Sequence, residues 1–137
     1  MTQKTILQVL PSLVSGGVET GTLDLAKTLV DKGYRSLVIS SGGPLVEALE
    51  QQGSLHLELP VHSKNPYIMW KNSRRLASIF KSQKVDIVHA RSRAPAWSVY
   101  WAAKRHYIPF ITTFHGVYGH QNKLKRWYNS IMLRSQR

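Results

Sequence analysis

A chain of 137 residues supports one domain with a core of its own, and its 42% hydrophobic content fits a globular class rather than a disordered one. No apolar run approaches the roughly 18 residues that a membrane span needs, and no cysteine is present, so disulfides and thiolate-held metals are excluded. The net charge of +12 is lopsided: residues 1–58 hold four basic and six acidic side chains, residues 59–137 fifteen basic and one acidic, Asp86.

The N-terminal residues 1–4 lead straight into a strand, so no secretory leader is visible. Residues 5–10 are the first strand. Two adjacent glycines follow in Ser15-Gly16-Gly17-Val18-Glu19, ahead of Val18, Thr22, Leu25 and Leu29 at helical spacing. That spacing predicts a helix over about residues 18–32, stopped by Gly33. Residues 36–40 read as strand two, and Gly42-Gly43-Pro44 opens a short helix to about Gln52, with Gly53 as its stop. Residues 55–59 are strand three, whose polar alternation suits a sheet edge.

Asn65-Pro66 reads as an N-cap and first helical residue, and the helix runs to about Gln83. Met69, Leu76, Ile79 and Phe80 make its apolar face; Lys71, Arg74, Arg75 and Lys81 occupy much of the other. Strand four covers 85–89, a helix with Trp97, Tyr100 and Trp101 covers about 96–106, and strand five covers 110–114. Leu124, Trp127, Tyr128, Ile131 and Met132 mark a last helix.

This alternation predicts an α/β, Rossmann-like three-layer domain with a mainly parallel five-stranded sheet in the order 3-2-1-4-5. The chain stops at the end of a helix, where an open sheet often continues, so the sheet is expected to be incomplete at its C-terminal end.

Ligands of open α/β sheets bind beyond the carboxyl ends of the strands. The loops expected there are residues 11–17, His89-Ala90-Arg91-Ser92-Arg93 and His115-Gly116-Val117-Tyr118-Gly119. A glycine turn into a helix can be an anion site or a plain strand-to-helix connection. The dinucleotide fingerprint fails, because Val18 stands where the second glycine belongs and Ser40-Ser41-Gly42-Gly43 replaces the acid of strand two. A P-loop fails because Thr22-Leu23 replaces Lys-Ser/Thr. The six histidines show no metal-ligand spacing, and no G-x-S-x-G points to a hydrolase. His115, at a strand end beside Gly116, suits either hydrogen bonding to a substrate hydroxyl or a structural cap. The cationic second half suits a membrane surface, phosphorylated substrates or solvent, and nucleic acid is disfavoured because no binding motif is recognisable.

Taken together, the run into Ser15-Gly16-Gly17-Val18-Glu19, the stretch from Val85 to Arg93 and Thr112-Thr113-Phe114-His115-Gly116 resemble the acceptor-side, N-terminal domain of GT-B glycosyltransferases, in particular glycosyltransferase family 4. The resemblance covers residues 5–137. It implies transfer of a sugar from a nucleotide-sugar donor with retention of configuration, no cofactor and no metal, and a glycolipid or cell-envelope glycan as acceptor. It places Gly16 and Gly17 against the donor diphosphate and the acceptor, with Glu19 starting the helix behind them. His115, next to Gly116, matches the histidine that reaches the transferred sugar or the acceptor, and His89, Arg91 and Ser92 line the acceptor side.

Residues 1–137 are thus expected to form a truncated acceptor-side domain, inactive alone, to which a companion chain would supply the donor domain. The expected location is cytoplasmic, with peripheral seating on anionic membrane through Lys71, Arg74 and Arg75; those residues equally suit the solvated face of a core-packed helix. The alternatives are a basic membrane-surface or phosphoglycolipid-binding module, or a non-functional gene remnant.

Overall fold

The computed structural model of the chain describes residues 3–13, 17–91 and 93–112. Five strands form one sheet: β1 (Thr5–Val9), β2 (Arg35–Ser40), β3 (Leu55–Glu58), β4 (Ile87–Ala90) and β5 (Phe110–Thr112). Between them run helices α1 (Gly17–Asp31), α2 (Val46–Gln51), α3 (Pro66–Ser82) and α4 (Arg93–His106). The sheet order is β3-β2-β1-β4-β5, every pairing is parallel, and β3 lies at an edge as its alternation predicts.

The central strand has partners on both sides and apolar layers above and below, so Leu7, Gln8 and Val9 are all fully buried. On one face, Leu7, Val9, Leu37, Ile39, Val88 and Phe110 meet Leu76 and Phe80 of α3 and Ala96, Val99 and Ala103 of α4. On the other, Leu10, Leu13 and Val38 meet Ala26 of α1 and Leu49 of α2. The result is the predicted three-layer arrangement.

Element boundaries follow local chemistry. Asn65 caps α3 by accepting a hydrogen bond from the Tyr67 N–H at 2.9 Å, and Pro66 takes a first-turn position that has no intrahelical N–H partner. α4 begins at Arg93, three residues before the predicted start, because Pro95 falls within the first turn, where a missing N–H costs nothing. β4 begins at Ile87 rather than Val85: Lys84 turns the chain through a positive φ of 53°, and the Val85 N–H still bonds to Phe80 O at 3.1 Å. α2 begins at Val46, because Gly42 and Gly43 both have positive φ and belong to a loop. The last predicted helix lies outside the described residues.

Candidate functional site

The chain leaves β1 for β2 and β3 on one side and returns to β4 on the other, so the strand order reverses between β1 and β4. The connections diverge there and open a crevice at the carboxyl ends of the strands. Val9 pairs with Ala90, and Ala90 with Thr112, so β1, β4 and β5 run level with one another at these residues. α1 opens at Gly17 with Glu19 in its first turn, and α4 opens at Arg93. Both helices thus turn first-turn N–H groups that have no intrahelical partner toward this edge. Gly16, Ser92, His115 and Gly116 lie outside the described residues.

The loop after β1 is carried by the loop after β2. The Leu10 N–H bonds to Ile39 O at 3.0 Å, the Ser41 N–H and hydroxyl both donate to Pro11 O at 2.9 and 2.6 Å, and the Leu13 N–H bonds to Gly42 O at 2.9 Å. Leu45 N–H closes the set on Leu13 O at 3.0 Å. Gly43 permits this approach: its φ is +147°, and a Cβ there would sit 2.3 Å from Leu13 O. The Ser41-Gly42-Gly43 stretch, which lacks a dinucleotide enzyme's acid, holds the backbone of Pro11 and Leu13.

Arg91, just past the end of β4, reaches toward α1. Its Nε donates to Gln8 Oε1 at 2.8 Å, while Gln8 Nε2 donates to Thr22 O of α1 at 3.3 Å. Arg91 is 7% exposed, and burial pulls its pKa below the ordinary arginine value. His89 is half-buried on β4, paired in register with Gln8 on one side and Ile111 on the other. Gly17, Glu19, His89 and Arg91 are therefore gathered around the β1–β4 switch.

Gln8 is a residue that sequence reasoning misses; its signal is an amide in the middle of an otherwise apolar central run. A second pair that sequence reading missed lies one strand further out. Ser40 Oγ and His56 Nε2 are 2.7 Å apart, and the Gly42 N–H donates to Ser40 Oγ at 3.0 Å. Burial lowers the His56 pKa, against the opposing pull of Glu50 and Glu58. Among the described residues no group of three or more His, Asp or Glu could hold a metal ion.

Lys71, Arg74 and Arg75 lie apart from the crevice, exposed on α3. They have aromatic company. Tyr67, Trp70 and Trp101 are 61%, 50% and 42% exposed, Lys71 Nζ sits 5.1 Å over the Tyr67 ring and the Arg74 guanidinium 5.2 Å over Trp70. A groove of about 350 Å³ between α3 and α4 is lined by Trp70, Ala77, Trp101, Lys104 and Arg105. No described helix is long and apolar enough to cross a membrane.

Residues 15–137 match the family profile of Glycosyltransferase Family 4. The chain belongs to glycosyltransferase family 4. This family 4 chain is 51% identical to a glycosyltransferase from Rickettsia africae ESF-5 in its crystal structure, with a TM-score of 0.83 over 98% of this chain and 35% of that one. MurG of Acinetobacter baumannii superposes with a TM-score of 0.73 at 19% identity, over 98% of this chain and 40% of that one. The UDP-N-acetylglucosamine 2-epimerase of Rickettsia bellii superposes with a TM-score of 0.64 at 15% identity, over 98% and 38%. The last two likenesses concern the fold alone. A search of the curated proteins gives no match. The family 4 chain spans about a third of the length of the Rickettsia africae enzyme.

Proposed function

We propose that this chain is the acceptor-side half of a retaining family 4 glycosyltransferase, which moves a sugar from a nucleotide-sugar donor to a glycolipid or cell-envelope glycan in the cytoplasm. The observation that carries the reading is the register Val9–Ala90–Thr112, which brings the three motif-bearing segments to the same edge of the sheet, in a chain of this family. The Gly16-Gly17 turn leads into the N-terminus of α1, whose N–H groups and dipole suit a diphosphate. His115 and Gly116 would meet the transferred sugar or the acceptor hydroxyl, and His89, Arg91 and Ser92 the acceptor, with no metal required. The nucleotide-bearing wall would come from sequence beyond these 137 residues, in the same or a companion polypeptide. The test is labelled-sugar transfer from a panel of nucleotide sugars into an envelope extract, by this chain together with the product encoded directly downstream. Label with retained anomeric configuration is expected, and no label from any donor removes the reading.

A second reading concerns the α3–α4 surface. Every charged side chain on these two helices is basic, and three exposed aromatics lie among them. Indole and phenol rings favour the headgroup boundary of a bilayer, and each nearby cation adds roughly 1 kcal/mol of attraction to an anionic surface. The enzyme would seat itself on anionic membrane through this face. Flotation with phosphatidylglycerol vesicles should recover the chain at low salt and lose it at high salt or in the Trp70→Ala/Trp101→Ala double variant. Equal flotation of that variant would contradict this seating.

A further inference from the structure

Gln8 is a fully buried amide at the centre of the sheet, and a buried amide persists only where its polar ends are used. Here both are used, and in opposite directions. Nε2 donates to a backbone carbonyl of α1, which leaves Oε1 turned toward Arg91 Nε. One bond at Nε fixes the plane of a guanidinium and sets where its two terminal nitrogens point. Nη1 comes to 3.5 Å from where a Cβ on Gly21 would lie, so a long side chain at that position would push the guanidinium aside.

Among the described residues the charge so fixed has no counter-charge. All seven acidic side chains of the sequence fall among the described residues, and none of them pairs with Arg91. Burying a cation without an anion is expensive. A second positive element lies close by, because the α1 N-terminus at Gly17 is about one turn from Gly21. Two positive elements lie about a helical turn apart, one of them buried and held rigid; an anion between them would meet both, and a guanidinium fork matches phosphoryl oxygens.

We infer that Gln8 is the positioning residue for Arg91, and that the guanidinium it fixes takes a phosphoryl oxygen of the substrate. This rests on the transfer reading for the identity of the phosphoryl group, which a donor diphosphate or a phosphorylated acceptor could supply. It makes Arg91 a charge-reading group rather than a general wall of the acceptor side.

The test is a titration of the 15N-labelled 137-residue chain with inorganic pyrophosphate, following the Arg91 Nε–Hε resonance assigned by its loss in Arg91→Lys. The resonance should shift saturably. Gln8→Met, which keeps the volume and removes the acceptor, should lower the thermal midpoint and, titrated well below that midpoint, weaken pyrophosphate at least tenfold. Gln8→Glu should keep the Nε–Hε resonance protected and still lose pyrophosphate, because it supplies the missing counter-charge; this arm decides the matter if Gln8→Met does not fold. An Arg91 resonance unmoved at high pyrophosphate, or wild-type affinity in either Gln8 variant, overturns the inference. Sugar transfer with a silent Arg91 removes this inference alone. A responsive Arg91 in a chain that never supports transfer removes the enzyme reading alone. In the active enzyme, a Gln8→Met effect on KM for the phosphorylated substrate larger than that on kcat marks positioning for binding.

Discussion

Gly43 and Gly33 both have positive φ, yet they differ in what a side chain would meet. At Gly33 nothing lies within 4 Å, so alanine there adds only backbone strain, about 1 kcal/mol. At Gly43 the added Cβ would overlap the Leu13 carbonyl, and the loop after β2 would have to release the loop after β1. Gly43→Ala is expected to cost about 2 kcal/mol or more in denaturant unfolding, clearly beyond Gly33→Ala. It should also perturb amide signals at Leu10 and Leu13. His56 gives a pH signature. Its folded pKa lies below the ordinary 6.5, burial being the larger cause, and Glu50 and Glu58 pull the other way. Between the two values the unfolded chain binds the extra proton, so stability is full above pH 6.5 and falls as pH drops through the folded value. Urea midpoints should therefore decline from pH 7.5 to 5.5, and His56→Gln should flatten the decline it causes.

At the scale of elements, the capped start of α3 is the clearest case of sequence dictating structure. Removing the Asn65 side-chain bond to the Tyr67 N–H should cost about 1 kcal/mol, measured as the shift in unfolding free energy of Asn65→Ala. The strand order was legible for a similar reason: apolar runs alternate with glycine-stopped amphipathic segments, and right-handed crossovers leave little choice. The β4 start was not legible, because the positive φ at Lys84 belongs to no glycine or asparagine. Nor was the pairing of Ser40 with His56. It depends on the register that sets Val38 beside His56, which places Ser40 on the same face two residues on. Trp70 and Trp97 look alike in a helical pattern, yet the first is half exposed and the second packs against the core. Which face meets a neighbour is decided by how α3 and α4 lie against each other, and helical spacing alone carries no record of that.

At the scale of the molecule, the charge asymmetry separates two surfaces. The acidic first half supplies β1, α1 and the supporting β2 loop, and the basic second half supplies α3, α4 and Arg91. The β1–β4 switch is where the halves meet, with the N-termini of α1 and α4 opening beside a buried arginine. The switch was foreseeable once the strand order was, whereas the Gln8–Arg91 bond was not. A polar residue in a strand reads as solvent-facing until the sheet is known to be covered on both faces. The measurement that bears most directly on this cleft is sugar transfer by the reconstituted enzyme, wild type against His115→Ala, with folding checked by thermal midpoint. With His115 at the transferred sugar or the acceptor hydroxyl, as proposed, its loss should lower kcat about 100-fold or more at unchanged stability. Transfer at the wild-type rate by His115→Ala would contradict the placement of the reaction at the ends of β1, β4 and β5.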